Sequence, residues 1–397
     1  MENVMNGLLM LLKKNSRQYG MVIALAIAMI FFGILTNGIF FRPVNLTNLV
    51  LQNSYVLILA IGMLLCTLTG NVDLSVGSIV CFIGAICGVM IVDMNMNPFL
   101  AMSIALIIGA FIGMWQGFWI AFVHVPPFIA TLAGMLVFRG LGQAILQGRT
   151  KAPFPREFQV ISSGYIPDPF GGLTIGNTTF HLLSILIGLL IVAFIIVSDI
   201  KKRKKQASYN FELLPKGIWI FKLAAISAVL MAFTIVFAIY RGFPNILIVL
   251  GVLIIGYQFV ASKTVQGRHI YALGGNAKAA KLSGIKTEWV MFWIYTNMAI
   301  LASVAAIVFA ARLNAATPKA GQGFEMDAIA ACYVGGSAVS GGVGTIIGAV
   351  VGALFIGVLN NGMSIMGVST DWQQAIKGFV LLAAVAFDLY SKRRSGK

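Results

Sequence analysis

Charge-free stretches alternate with short polar connections along this chain. No Asp, Glu, Lys or Arg occurs in 18–41, 43–72, 74–92, 94–138, 169–198, 223–240, 242–262, 289–311 or 328–370, and a last such stretch, 378–387, extends across Lys377. A helix that crosses the hydrocarbon core needs roughly 20 apolar residues, so 94–138 and 328–370 must each hold two elements. His124-Val125-Pro126-Pro127 breaks the first, because proline lacks a donor and disfavours helix in the residue before it. Gly335-Gly336 and Gly341-Gly342 break the second. The pattern predicts an all-α polytopic membrane protein of 10–12 transmembrane helices, counted as twelve crossing elements, some short or broken.

Composition agrees. Hydrophobic residues make up 59% of the 397 and charged residues only 10%, with a mean hydropathy of +0.92; a soluble domain carries about 25% charged residues. The net charge of +16 lies in short loops beside apolar runs, which is the positive-inside pattern, and no nucleic-acid-binding module accompanies it. With the N-terminus inside, nineteen of the 28 Lys and Arg face the cytoplasm and seven face out. Both termini are therefore expected to be cytoplasmic. Lys13, Lys14 and Arg17 lead an apolar run with no cleavage pattern, which reads as an uncleaved first helix. Cys66, Cys81, Cys87 and Cys332 form no CxxC pair and read as buried thiols, without metal or disulfide.

Two hydrophilic loops stand out. One, 148–180, is proline- and glycine-rich and long enough to contact something outside. The other, 263–288, holds a short helical stretch from Asn276 to Leu282 between Gly274-Gly275 and Gly284. It reads either as a docking element or as a solvated connector. Gly109, Gly113 and Gly117 repeat at four-residue spacing, as do Gly344, Gly348 and Gly352. On crossings of opposite direction these runs suggest inverted repeats or simply close helix packing.

Reactive constellations are missing: no phosphate loop, HExxH or GxSxG pattern occurs, and the three His residues are scattered. Asp73 is the candidate acid at depth, with Asp327 placed near a segment end. Asp73 and Ser75 read as a cap on the helix that follows. Arg139 and Lys377 fall within apolar segments, where they would snorkel or pair with carbonyls. Gln52, Asn53, Gln116, Asn297, Asn360, Asn361 and Ser364 could line a path or hydrogen-bond between helices.

Four blocks, in order, carry a family resemblance. Thr69–Ser78, TGNVDLSVGS, is similar to the GG-[IV]-DLSVGS signature of sugar permeases of ATP-binding-cassette importers, the ribose, xylose and galactoside group, with Asn71 where a glycine is usual. Val125–Gly140, with Pro126 and Pro127, resembles VPPFIVTLGxMxxxRG. Tyr271–Ile285, YALGGNAKAAKLSGI, matches that group's inner loop, and 323–336 with 360–368 match its C-terminal part. The stretch 199–262, with two extra membrane segments, resembles the longer xylose and multiple-monosaccharide permeases.

The resemblance implies a single permease domain over 1–397, with the type II fold of the vitamin-B12 importer, in a bacterial inner membrane. It implies a homodimer, a separate ATPase binding ATP and Mg2+, a periplasmic sugar-binding protein and a monosaccharide substrate. The loop at 148–180 would be periplasmic. The loop at 263–288 would couple to the ATPase through Gly274, Gly275, Asn276, Lys278, Ala279 and Gly284. The chain itself would be no enzyme and hold no cofactor. An ion-coupled transporter or facilitator acting alone is the alternative.

Overall fold

The computed structural model describes residues 16–394 except 177 and 212, with side chains described from Gly20 to Ala386 apart from Ile175. Lys13, Lys14 and Lys397, which entered the orientation argument, lie outside the described residues, and the side chains of Arg17, Lys392, Arg393 and Arg394 lie outside the described side chains.

Helices dominate, and local chemistry sets their ends. After α1 (Ser16–Leu35), α2 (Pro43–Leu68) starts on proline, whose missing N–H costs nothing in a first turn. Next come α3 (Val76–Gly88), which ends in a π-helical turn over Val89–Asp93, and α4 (Pro98–Ala121). The Asn97 side chain caps α4 by accepting from the Phe99 N–H. His124 takes a left-handed conformation (φ 62°) in the break expected at 124–127, and Pro127 starts α5 (Pro127–Leu146). The 148–180 loop folds into α6 (Arg156–Ser163) and an antiparallel pair, β1 (Gly172–Ile175) and β2 (Thr178–His181).

Three long spans follow: α7 (Leu182–Ser208), α8 (Lys216–Tyr240) and α9 (Ile246–Lys263). The stretch 199–262 therefore opens inside a helix. Its basic run forms the last turns of α7, where cations suit the carbonyl end of the helix dipole. Two short helices, α10 (Val265–Gly275) and α11 (Ala277–Leu282), precede α12 (Thr287–Leu313), α13 (Phe324–Val334), α14 (Ile346–Ile365) and α15 (Thr370–Arg394).

Among the described residues nine helices are long and apolar enough to cross a membrane. With α1, α15 and a broken pass through 314–334, they trace twelve crossings. The loops gather on two faces. One carries 148–181 and is called the hairpin face; the other carries 264–286 and 335–345 and is called the joint face. Large apolar side chains such as Phe194, Phe221, Ile255 and Phe379 point outward from the bundle, as lipid contact requires.

Two passes are broken in the same way. Residues 69–75 enter from the joint face as non-helical chain and become α3; residues 315–323 enter from the hairpin face and become α13. The two run antiparallel in contact: Gly88 lies against Ala316, while a Cβ on Gly77 would overlap the Gly321 carbonyl. Helix partners obey the same exchange. The helix α3 packs on α5 and α12, and α13 packs on α15 and α2; α4 packs on α12, and α14 on α2. Swapping the two halves of the chain preserves this pattern while reversing every direction.

The glycine runs deviate from that symmetry. Gly109, Gly113 and Gly117 seat α4 on Ser303, Thr296 and Phe292 of α12, whereas Gly348 and Gly352 seat α14 on Ala331 of α13 and on Gly335 just past its end. Gly344 is not in a helix at all. Thr345 caps α14 by accepting from the Gly348 N–H at 3.0 Å, which leaves Gly344 in the preceding loop.

Candidate functional site

Two places draw together the residues that the sequence singled out. The first is a backbone joint. Leu68, the last residue of α2, accepts a hydrogen bond from the Gly342 N–H at 2.8 Å. Gly274 fits into the same contact: a Cβ there would overlap the Leu68 carbonyl oxygen and come within 2.8 Å of the Gly342 nitrogen. Gly341 (φ 80°) closes the cluster against Gly70 and Gly274, in a conformation that favours glycine. Tyr271 donates to the Gly344 carbonyl at 2.8 Å, and burial raises its phenol above the ordinary value, so the proton stays on the donor. The α10–α11 segment thus touches the start of one broken pass and the end of the other.

From this joint α11 projects outward. Asn276 caps it by accepting from the Ala279 N–H at 3.0 Å, and Lys278 and Ala279 are exposed. Leu282, at its end, is 90% exposed. Gly275 has open space around it and Gly284 (φ 84°) turns the chain toward α12. Of the six residues expected on a coupling surface, five are accessible, and Gly274 is instead wedged into the joint. Its role is close approach, which a spacing argument does not separate from exposure.

The second place is a cavity of about 620 Å3 between α2, the end of α12, the 322–327 segment, α14 and α15. Gln52, Asn53, Asn360 and Asn361 all line it, together with Ser364. Asn53 donates to the Leu49 carbonyl at 2.8 Å, and Asn361 exchanges two hydrogen bonds with Asn45, 2.9 and 3.0 Å. Asn361 thereby ties α14 to α2, whereas the Asn53 amide bonds back within α2. Gln116 and Asn297 are elsewhere. Gln116 accepts from the Ser75 hydroxyl at 3.2 Å, and Asn297 accepts from Tyr257.

The cavity also holds Tyr55 and Phe324, which the sequence reading missed, and joins Asp327 to Lys377, which it had treated apart. Tyr55 stacks on Phe324 at 3.9 Å between ring centroids. Tyr55 lies twelve residues into α2, roughly 18 Å along it, so α13 begins near mid-depth. Asp327, in the first turn of α13, is therefore deep and not at a segment end. It is 5% exposed and paired at 2.6 Å with Lys377 of α15, which is 20% exposed. Lys377, expected to snorkel or meet a carbonyl, meets a carboxylate instead. A charge at that depth is retained only when paired. Arg139 does meet a carbonyl, that of Ala320, at 2.5 Å. The glycines at 321 and 323, both with positive φ, were the signal in the sequence that this pass is not helical throughout.

Asp73, expected to cap α3, accepts no hydrogen bond from the first turn of that helix and instead binds Ser75, the residue before it. The Asp73 Oδ1 accepts from the Ser75 N–H at 2.8 Å and from the Ser75 hydroxyl at 2.6 Å. Pro126 and Pro127 stand at the break they were expected to make. The four cysteines are free and buried. Among the described residues no group of His, Cys, Asp and Glu could hold a metal ion.

Comparison with known proteins places this architecture. A family model described as "Branched-chain amino acid transport system / permease component" matches residues 45–385. The chain is 36% identical to a xylose transport system permease protein of Haemophilus influenzae over 96% of its length and 98% of that protein's. It is 35% identical to the xylose permease of Escherichia coli K12, over 96% and 94% of the two chains. Similarity to the ribose import permease of Escherichia coli K12 is 32%, over 88% and 87%. No solved structure matches. With most of its length matched by the family model and these relatives aligned nearly end to end, the chain belongs to the permease-component family of branched-chain amino acid transport systems.

Proposed function

We propose that this chain is the membrane-spanning permease subunit of an ATP-driven monosaccharide importer in a bacterial inner membrane. The observation that carries the reading is the joint. A solvent-facing helix with an exposed Leu282 is fixed, through glycine backbone contacts, to the loops of both broken passes. A push on that helix is transmitted to the parts of the bundle whose helices are interrupted. Similarity along nearly the whole chain to xylose and ribose permeases supports a sugar as the cargo.

In this reading the joint face and both termini are cytoplasmic, in keeping with the basic residues of the 264–286 loop. A separate ATPase binds ATP and Mg2+ and seats α11, contacting Asn276, Lys278, Ala279 and Leu282. A second copy of the chain completes the translocation path. A periplasmic sugar-binding protein docks on the hairpin face, where α6 and the β1–β2 pair stand. Closure of the ATPase pair moves α11, the joint carries the displacement to 68–75 and 335–345, and the bundle opens inward. The chain itself hydrolyses nothing.

The test is reconstitution with the ATPase and the sugar-binding protein in liposomes. Xylose uptake that requires ATP and both partners is expected. An ion-coupled transporter or facilitator would instead give uptake by the chain alone, sensitive to Asp73→Asn, and that result would refute the proposal.

A further inference from the structure

We infer that the 620 Å3 cavity holds one neutral monosaccharide within a single chain, so that the permease sieves its substrate by itself. This rests on the sugar-importer reading above and adds a binding site to it. The volume is within the range of small-molecule pockets, and it extends from the hairpin-face end of α12, at Arg312 and Leu313, down to Asp327 near mid-depth.

Its lining separates into committed and uncommitted groups. The Lys377 charge is committed to Asp327 at 2.6 Å, while Arg312 donates one N–H to the neutral Asn48 amide at 3.1 Å. The uncommitted neutral groups are amides. The Gln52 and Gln322 side chains make no hydrogen bond to other described residues, and the Asn360 amide, which bonds Asp327 through its N–H side, keeps a buried Oδ1 without a partner. Amides offer donors and acceptors together, which is what a ring of hydroxyls needs. Tyr55, Phe309 and Phe324 supply flat apolar wall beside them.

A zwitterionic amino acid fits this set poorly. Its carboxylate could meet Arg312, but its ammonium would find one acid in the lining, Asp327, and would have to displace Lys377 from a pair whose members are both largely withdrawn from water. A neutral polyol leaves the pair intact and takes up the free amides. The buried Asn360 oxygen, which costs free energy while unpaired, gains a hydroxyl partner.

The experiment uses the full chain in lipid nanodiscs, without ATPase or binding protein, titrated with D-xylose and separately with L-leucine by calorimetry and saturation-transfer NMR. Saturable xylose binding in the millimolar range is expected, with none for leucine. Gln322→Leu should weaken it by about tenfold, and Gln52→Trp, which fills the cavity from an exposed position, should abolish it. Both variants should keep the wild-type melting temperature. Absence of saturable xylose binding, leucine binding of equal strength, or xylose binding indifferent to both variants would overturn the inference. The wild-type chain is assayed in parallel with its partners for ATP-driven uptake: loss of that uptake refutes the importer reading, whereas intact uptake without cavity binding refutes only the site.

Discussion

The two broken passes use one backbone device for two chemistries. In the pass through 69–93 the buried acid is Asp73, with no cation beside it among the described residues and its Oδ1 spent on the Ser75 N–H and hydroxyl just before α3. In the pass through 314–334 two acids, Glu325 and Asp327, stand in the first turn of α13, and Asp327 is held by a lysine from another helix and set in the wall of a polar cavity. The first pass begins at the glycine joint beneath α11; the second begins at the hairpin face and descends past the cavity to that joint. An inverted repeat thus differs between its halves: one half-pass is sealed locally and meets the glycine joint, the other is bridged by charge and lines the polar cavity.

The largest expected effect sharpens that contrast. Asp327→Ala leaves Lys377 without its partner in a low-dielectric setting and should cost about 3 kcal/mol of stability, read as thermal unfolding in detergent. Asp73→Asn keeps an acceptor for Ser75 and should cost about 1 kcal/mol. Reversal of that order would break the comparison.

Next in size is the joint. Gly274→Val forces a side chain into the Leu68 carbonyl and the Gly342 nitrogen, and should lose about 2 kcal/mol together with nearly all ATP-driven uptake. Gly275→Ala, with open space around it, should match wild type in both assays. Equal tolerance at 274 and 275 would remove the joint from the mechanism.

At Leu282 stability and coupling should part. Leu282→Asp touches no packed neighbour and should leave the melting temperature unchanged. It should weaken association with the ATPase by about 2 kcal/mol, the scale of a single anchor residue, as measured by co-purification and by stimulated ATP hydrolysis. The smallest effect is expected from Asn276→Ala, which removes the cap of a six-residue helix and should cost about 1 kcal/mol locally, visible in hydrogen exchange of Ala279 and Ala280.

Much of this was legible in the sequence where a local rule acts alone. The His124–Pro127 break and the helix from 276 to 282 each follow from a donor lost or from glycines at both ends. The depth of Asp327 did not follow. A search for charge-free runs places a residue at the edge of a run in the membrane interface, yet the pass that holds Asp327 is half non-helical and its helix starts in mid-bundle. Gly274 was found by its motif and misplaced on the exposed surface, because its contacts, Leu68 and Gly342, come from remote parts of the chain. The same distance hid the Lys377 partner, fifty residues from Asp327.

One measurement bears most directly on the view that force applied at the joint face, and no gradient, opens this bundle. Xylose flux is followed in liposomes that hold the chain alone, under an imposed proton or sodium gradient, and again after the ATPase, the sugar-binding protein and ATP are supplied. Flux only in the second condition is the predicted result. Sustained flux from the chain alone would contradict it.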